Sequence, residues 1–109
     1  AKAKALRSLV IVHTGNNGII TEEQLTKILN ALSGIPRVVM VNNKVPRPWS
    51  GPNNRLFASV VPRYPNVRLV DWDKLATGHP EYFVKDGVHL TWEGAQAYSK
   101  AIEAAAAES

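Results

Sequence analysis

Three short apolar runs recur along the chain, at residues 8–13, 37–42 and 67–71. They are rich in Val, Ile and Leu, and each is shorter than a typical helix. Continuous apolar runs of this length are typical of strands that are covered on both faces of a parallel sheet. We therefore expect three parallel strands, the first of them buried on both faces.

Helical patterns lie between and after these runs. Residues 21–24 fit a capping box that opens a helix, and apolar residues then recur with helical spacing until Gly34 ends it. A second helix is predicted over residues 54–61, and Thr91 is predicted to cap a final helix. The segments without such a pattern, which we expect to be long loops, are residues 43–53 and 74–90.

This order of elements predicts an α/β fold. Strands that alternate with helices form parallel sheets through right-handed crossovers, which gives a three-layer α/β/α sandwich with a parallel sheet. Ligands of such sheets bind at the carboxyl ends of the strands. We therefore expect His89 to lie near residues 15–17. The loops that leave the predicted strands at that edge are residues 14–20, 43–53 and 72–90.

Composition restricts the functions that the chain can have. The 109 residues carry a net charge of +4 and no cysteine, which indicates one small domain and excludes disulfides and thiolate metal sites. The basic residues are scattered without interleaved aromatics, so we expect no nucleic-acid partner. No apolar run approaches the roughly 20 residues of a membrane span. No cofactor is implied, and the His and Asp positions lack the compact spacing of a metal site.

The run Asp86-Gly87-Val88-His89-Leu90-Thr91 is the strongest chemical signal. A carboxylate three residues before an imidazole can hold the ring in one tautomer and stabilise the imidazolium, as a serine-type hydrolase requires. His89 is therefore the candidate general base, and Asp86 is its candidate partner. The alternative is that both side chains only cap the helix that follows.

The turn after the first strand offers hydrogen-bond donors. Gly15 can present its backbone N–H at close range, and Asn17 can add a side-chain amide, which together suit an oxyanion hole. The alternative is a tight turn that needs Gly and Asn only for positive φ angles.

The other histidines and the tryptophans have less specific settings. We expect His13 to be a hydrogen-bonded core residue and His79 to lie on the surface. Trp49, in a loop stiffened by prolines, suits either the wall of a substrate site or an anchor for the loop, and the sequence leaves both open. Trp72 and Trp92 are expected to pack in the core.

Two motifs resemble blocks of the SGNH (GDSL-type) hydrolases. They are Gly15-Asn16-Asn17-Gly18 and Asp86-Gly87-Val88-His89-Leu90-Thr91, which look like the third and fifth blocks of that family. The finer similarity is to extracytoplasmic SGNH domains fused to membrane acyltransferases, including peptidoglycan O-acetyltransferases. Further matching stretches are residues 41–42, 45–49, 64–67, 70–72 and 78–81.

The resemblance implies a fold, an activity and residue roles. The fold is the SGNH/flavodoxin-like sandwich, with His89 as catalytic base and Asp86 as its partner. Asn17 is implied to be the oxyanion-hole amide, and Gly15 matches the glycine that begins the third block. The implied activity is serine-type acyl transfer from an acyl donor to a carbohydrate acceptor, by an O-acetyltransferase or acetylesterase of the bacterial cell envelope. The implied location is extracytoplasmic, with membrane contact only through an acyltransferase domain outside this chain.

The chain departs from that family at its first two blocks. The Gly-Asp-Ser block that carries the nucleophile is absent, and Ser8, Ser33 and Ser50 do not resemble it. Residues 1–109 therefore match the C-terminal part of one SGNH domain, without the N-terminal strands. We expect a complementary N-terminal segment to supply the serine and to cover an open strand edge, which self-association would otherwise cover.

Two other functions stay open on the sequence. An inactive or truncated domain of this type would serve as a glycan- or protein-binding module. A nucleotide-binding fragment would share the topology, although residues 15–18 are too short for a glycine-rich phosphate-binding loop.

Overall fold

A three-stranded parallel sheet forms the centre of the protein. The computed structural model describes residues 9–15 and 18–107. The strands are Leu9–His13 (β1), Arg37–Val41 (β2) and Val67–Val70 (β3), in the spatial order β1-β2-β3. β2 pairs in parallel with both neighbours, so the carboxyl ends of all three strands meet at one edge. The predicted α/β class and parallel sheet are confirmed.

Helices connect and cover these strands. Those within the described residues are the α-helices Glu22–Ala31 (α1), Ser50–Val60 (α2), Trp72–Ala76 (α3) and Trp92–Ala107 (α4), and the 3₁₀ turns Val61–Arg63 and Pro80–Tyr82. The capping box of α1 is confirmed. Thr21 Oγ1 accepts a hydrogen bond from the Gln24 N–H, and Gln24 Oε1 accepts one from the Thr21 N–H.

Helix α2 begins earlier than the sequence pattern indicates. The expected helix covers residues 54–61, whereas the observed helix starts at Ser50. Pro52 is tolerated because it lies in the first turn, where backbone N–H groups have no partner within the helix. The loop after β2 is therefore shorter than the expected 43–53.

The expectation of a long loop over residues 74–90 is wrong. Asp71 accepts a hydrogen bond from the Lys74 N–H and thereby caps the short helix α3. Further along, Phe83 and Leu90 form an antiparallel bridge. The irregular parts of the segment are residues 77–79 and the tip between Phe83 and Leu90, which contains Asp86 and His89.

Two apolar clusters cover the two faces of the sheet. One face packs against α1 and α2, and the other packs against α3 and α4, which confirms the three-layer arrangement. Leu25 and Leu29 of α1 and Phe57 of α2 are fully buried, so the first cluster is closed to solvent. The second cluster contains the buried Trp72 and depends on α4 as its one long helix.

Strand β1 is more exposed than its apolar sequence predicts. The expectation that it is buried on both faces is wrong, because none of its residues is fully buried and Ile11 is 49% exposed. The cause is its position at the edge of the sheet. Within the described part of the chain, β2 pairs with one side of β1 and no strand pairs with the other.

The contact between α4 and the turn before it requires a glycine. A Cβ atom at Gly94 would lie 2.1 Å from the Tyr82 carbonyl oxygen. We expect Gly94→Ala to lower the free energy of unfolding by about 1–3 kcal/mol or more, because the backbone would have to move. Gly34→Ala is the matched control, since nothing lies within 4 Å of its Cβ position. Urea unfolding measures both, and equal effects would contradict the close packing.

Candidate active site

Asp86 and His89 form a hydrogen-bonded pair in the loop before α4. Asp86 Oδ2 lies 2.5 Å from His89 Nδ1. The other carboxylate oxygen, Oδ1, accepts hydrogen bonds from the backbone N–H groups of Val88 (2.9 Å) and His89 (3.0 Å). One carboxylate therefore fixes the turn and orients the imidazole ring at the same time.

Backbone contacts hold this loop in place. The Val84 N–H donates to the His89 carbonyl oxygen at 2.9 Å, and the Gly87 N–H donates to the Val84 carbonyl oxygen at 3.0 Å. Gly87 has a φ of +71°, in the left-handed region that favours glycine. Thr91 Oγ1 accepts from the Gly94 N–H at 3.2 Å, which confirms the predicted cap of α4. These hydrogen bonds close the loop at its base and connect it to α4.

The pairing stabilises the ionised form of the carboxylate. The hydrogen bond from the His89 ring, followed by those from the Val88 and His89 backbone, lowers the pKa of Asp86 to about 2. The carboxylate is ionised at neutral pH and accepts the Nδ1 proton, which leaves Nε2 as the ring nitrogen that can accept a proton. The His89 side chain is 79% exposed, so the ring is open to a nucleophile from outside this loop.

Gly15 occupies a position that only glycine fits. It is buried with a φ of +94°. A Cβ atom there would lie 2.7 Å from Asn43 Oδ1 and 2.9 Å from Asn53 Nδ2. The positive φ agrees with the turn alternative, and the oxyanion role stays a prediction. Asn17, the second candidate donor, lies outside the described residues.

Asn53, which no motif indicated, holds the turn that contains Gly15. Its buried Nδ2 donates to the carbonyl oxygens of Gly15 (3.0 Å) and Gly18 (2.9 Å). Its Oδ1 accepts from the Ile20 N–H at 2.8 Å. One amide thereby satisfies three backbone groups of the turn. The signal in the sequence is the Asn53-Asn54 pair within a helix, where asparagine is otherwise unfavourable.

Further asparagines join the ends of the strands. Asn43 Nδ2 donates to the Thr14 carbonyl oxygen at 2.8 Å. Asn54 holds the Asn43 backbone, since its Oδ1 accepts from the Asn43 N–H and its Nδ2 donates to the Asn43 carbonyl oxygen, both at 2.7 Å. Asn42 Nδ2 donates to Asp71 Oδ1 at 2.9 Å and so connects β2 to the end of β3.

The loop after β2 contacts both candidate halves of the site. Asn43 lies against Gly15 at the start of this loop. Pro46, further along, lies against the acid–base loop, because a Cβ atom at Gly87 would be 3.3 Å from its side chain. The loops that carry Gly15 and His89 therefore pack on the same connecting segment at the carboxyl edge of the sheet.

The remaining histidines pair with other polar side chains. His13 is exposed, so the expectation of a core residue is wrong, because β1 is an edge strand. Its predicted hydrogen bonding is confirmed: Nδ1 lies 2.6 Å from the Tyr98 hydroxyl, and the two rings stack. His79 lies at the surface, as expected, with Nδ1 2.8 Å from Glu81 Oε2. The chain thus holds a second imidazole–carboxylate pair besides Asp86 and His89.

The tryptophans lie in different environments. Trp72 is buried and stacks on Tyr82, as expected. Trp92 is 75% exposed, so the expectation that it packs in the core is wrong. It begins α4 on the side of the helix away from the buried Gly94. Trp49 is partly buried and immediately precedes α2, and its contact with a substrate stays a prediction.

No serine within residues 9–15 and 18–107 is hydrogen-bonded to the His89 ring. Ser50 Oγ donates to the Asn43 carbonyl oxygen at 3.4 Å. Ser59 Oγ donates to a carbonyl oxygen of its own helix at 3.0 Å. Ser8 lies outside the described residues. The described part of the site therefore contains the candidate base and its carboxylate partner, without a serine hydrogen-bonded to the imidazole.

Two further findings concern metals and membranes. In the described ranges, no group of three or more His, Asp or Glu side chains is arranged to hold a metal ion. Nor does any helix of that part combine the length and the apolar character that a bilayer crossing needs.

The chain is similar in sequence to named bacterial proteins. O-acetyltransferase OatA of Staphylococcus aureus strain NCTC 8325 / PS 47 is 40% identical to it over 93 residues, which are 85% of the chain. The chain is therefore similar to one region of a protein that is named as an O-acetyltransferase. SAS0844 of strain MSSA476, whose name assigns it provisionally to the O-acetyltransferases, is 42% identical over 93 residues. The chain spans 15% of the length of these relatives, and no protein-family model matches it.

Replacement of Asn53 should loosen the turn after β1. We expect Asn53→Ala to lower the free energy of unfolding by about 1–3 kcal/mol, because buried backbone groups lose their partner. Asn30→Ala is the matched control. Asn30 is exposed and accepts a hydrogen bond from the Tyr64 hydroxyl, so a change within about 0.5 kcal/mol is expected. Urea unfolding measures both values, and equal losses would refute the anchoring role of Asn53.

The low pKa of Asp86 keeps the pair intact to a lower pH than an ordinary aspartate would allow. A carboxylate whose pKa is lowered on folding stabilises the folded protein above its unfolded pKa, and this stabilisation is lost as the pH falls through the folded pKa. We therefore expect the stability contributed by the hydrogen bond to His89 to decline as the pH falls below about 4, and the bond itself to be lost as the pH passes through about 2. A carbon-13 NMR titration of the Asp86 carboxyl measures the midpoint.

His89→Ala is the control for this titration. It removes the largest cause of the lowered pKa, so the midpoint of Asp86 should rise towards 3.8. A midpoint that stays near 2 in this variant would contradict the pairing.

Proposed function

We propose that this chain forms the C-terminal part of an SGNH-type domain that carries out serine-type acyl transfer. The observation that carries the proposal is the contact between Asp86 and His89, which gives the imidazole the orientation that a general base requires. The similarity to O-acetyltransferases supports acetyl as the transferred group. The resemblance of residues 15–18 and 86–91 to SGNH blocks supports the domain type.

In the proposed mechanism, His89 carries one proton in each half of the reaction. Its Nε2 accepts the proton of a serine hydroxyl as the serine oxygen attacks the carbonyl carbon of the acyl donor. The imidazolium then gives that proton to the departing oxygen, and an acyl-serine is left. In the second half, a sugar hydroxyl or water gives its proton to Nε2, attacks the acyl-serine, and releases the serine oxygen, which takes the proton back. Asp86 stabilises the imidazolium in both halves.

Gly15 and Asn17 are proposed to stabilise the tetrahedral intermediates. The Gly15 N–H and the Asn17 side-chain amide would donate to the oxyanion, and the loss of one such donor typically costs about 3–4 kcal/mol of transition-state stabilisation. The hydrogen bond from Asn53 to the Gly15 carbonyl oxygen supports this role, because it fixes the backbone of that turn. A donor that is fixed beforehand needs no reorganisation during the reaction.

The nucleophilic serine is proposed to lie on a complementary segment that pairs with β1. Within the described sheet, β1 is an edge strand, and Ile11 is exposed on one of its faces. An added parallel strand would satisfy backbone groups along this edge, and the chain around it would cover Ile11. The carboxyl end of that strand would lie beside the end of β1 and the turn of Gly15, which is where the acyl group must react.

The substrates and the location form part of the same proposal. An O-acetyltransferase would move an acetyl group from the acyl donor to cell-envelope carbohydrate. An acetylesterase would instead use water to remove an acetyl group from that carbohydrate. The domain lies on the extracytoplasmic face of a bacterial membrane, with membrane contact only through a separate acyltransferase domain. The relatives support this arrangement because the chain corresponds to 15% of their length, which leaves room for such a domain. Trp49 is proposed to form a wall of the substrate site.

Substitution of His89 tests the proposed function. In the assembly of this chain with its serine-bearing segment, we expect His89→Ala to lower the rate of acetyl transfer by a factor on the order of 10⁴ or more. Asp86→Asn should cost a factor on the order of 10⁴, because the ring loses its tautomer. His79→Ala is the matched control, since His79 forms a similar pair with Glu81, and its rate should equal that of the unsubstituted protein.

A fluorophosphonate reagent locates the nucleophile in the same samples. Intact-mass spectrometry should show the adduct on the complementary segment and none on this chain. The proposal is overturned if His89→Ala transfers acetyl at the normal rate. Glycan binding without any labelled serine would support the alternative of a binding module.

A further inference from the structure

Trp92 is the most exposed large apolar side chain in the described part of the protein, at 75%. Tryptophan is enriched at binding sites, because its ring offers a large apolar face with a polar N–H at its edge. Trp92 follows His89 by three positions and is the first residue of α4. The length of the backbone between them keeps their Cα atoms within about 11 Å of each other. An aromatic face is therefore presented to solvent close to the candidate base.

A shallow groove runs from Trp92 along the exposed side of α4. Its volume is about 330 Å³. The residues that line it recur at the helical spacing that places side chains on one side of a helix. The rise of the helix places Glu103 about 16 Å from Trp92, so the groove suits an extended ligand. Its lining residues are Trp92, Ala95, Gln96, Ser99, Lys100 and Glu103.

The groove combines one aromatic ring with neutral hydrogen-bonding groups. The indole face can contact the C–H side of a sugar ring, while Gln96 and Ser99 can donate to and accept from hydroxyls. Lys100 and Glu103 carry opposite charges, so the groove does not select an anion. A membrane surface would require an excess of basic residues, whereas Lys100 is the one basic residue among those that line the groove. A neutral carbohydrate therefore fits this chemistry best.

We propose that Trp92, Gln96 and Ser99 form a carbohydrate-binding subsite that continues from His89 along α4. A sugar ring stacks on Trp92, and the next rings of the chain hydrogen-bond to Gln96 and Ser99. The inference rests on the proposed function, because it assigns this subsite to the carbohydrate from which a hydroxyl is presented to His89. The position of Trp92 then determines which sugar of a longer chain reaches the base.

A titration of the full chain with chitotetraose, a neutral oligomer of N-acetylglucosamine, tests the subsite. NMR resolves the indole N–H signal of each tryptophan, and the buried Trp72 serves as an internal reference. We expect a saturable shift of the Trp92 signal and none of the Trp72 signal. Trp92→Ala should weaken binding by about tenfold. Trp92→Phe, which keeps an aromatic ring, should retain most of the affinity.

Two further variants separate the subsite from its surroundings. Leu75→Ala removes an apolar side chain that is 50% exposed on another surface, and it should bind chitotetraose normally. His89→Ala should abolish acetyl transfer while chitotetraose still shifts the Trp92 signal, so failure of the proposed function is distinguishable from failure of this subsite. The inference is wrong if the Trp92 signal does not shift, if Trp92→Ala binds normally, or if a protein segment covers Trp92 in the assembled domain.

Discussion

The rest of the candidate site depends on hydrogen bonds from side-chain amides at the carboxyl edge of the sheet. Buried backbone groups require partners, and the turn after β1 finds them in Asn53 and Asn43. Asn54 in turn fixes the Asn43 backbone. Asn53 and Asn54 belong to α2, which is anchored in the core by Phe57. The packing of α2 on the sheet therefore sets the position of Gly15, and any shift of that helix would move the turn.

The imidazole is positioned by contacts of shorter range. Asp86 reaches His89 within one loop, and the bridge between Phe83 and Leu90 closes that loop at its base. The close approach of Gly94 to the preceding turn ties the loop to α4. The turn of Gly15 is thus held by contacts between distant parts of the chain, whereas the loop of His89 is held by residues that are neighbours in sequence. They meet at the loop after β2, which makes this loop the common support of both.

This difference in range explains what the sequence could predict. The cap of α1 and the contact of Asp86 with His89 depend on residues three positions apart, so their spacing indicates them directly. The burial of β1 and of Trp92 depends on whether another element covers a strand edge or a helix face, which local patterns do not contain. The role of Asn53 escaped prediction for the same reason, because its partners lie before α1, far away in sequence.

Because β1 lies at the edge of the described sheet, the proposed pairing with a serine-bearing strand would make the distance from the serine to His89 depend on strand alignment. A parallel strand can slip along its neighbour only in whole residues, and each slip moves it by about 3.3 Å and turns its side chains to the opposite face. A hydroxyl carried at the end of such a strand would reach the base in one alignment and lie out of hydrogen-bonding range in the next. Ile11 is 49% exposed on this strand, so a segment that pairs with β1 in the proposed way would bury apolar surface by covering it.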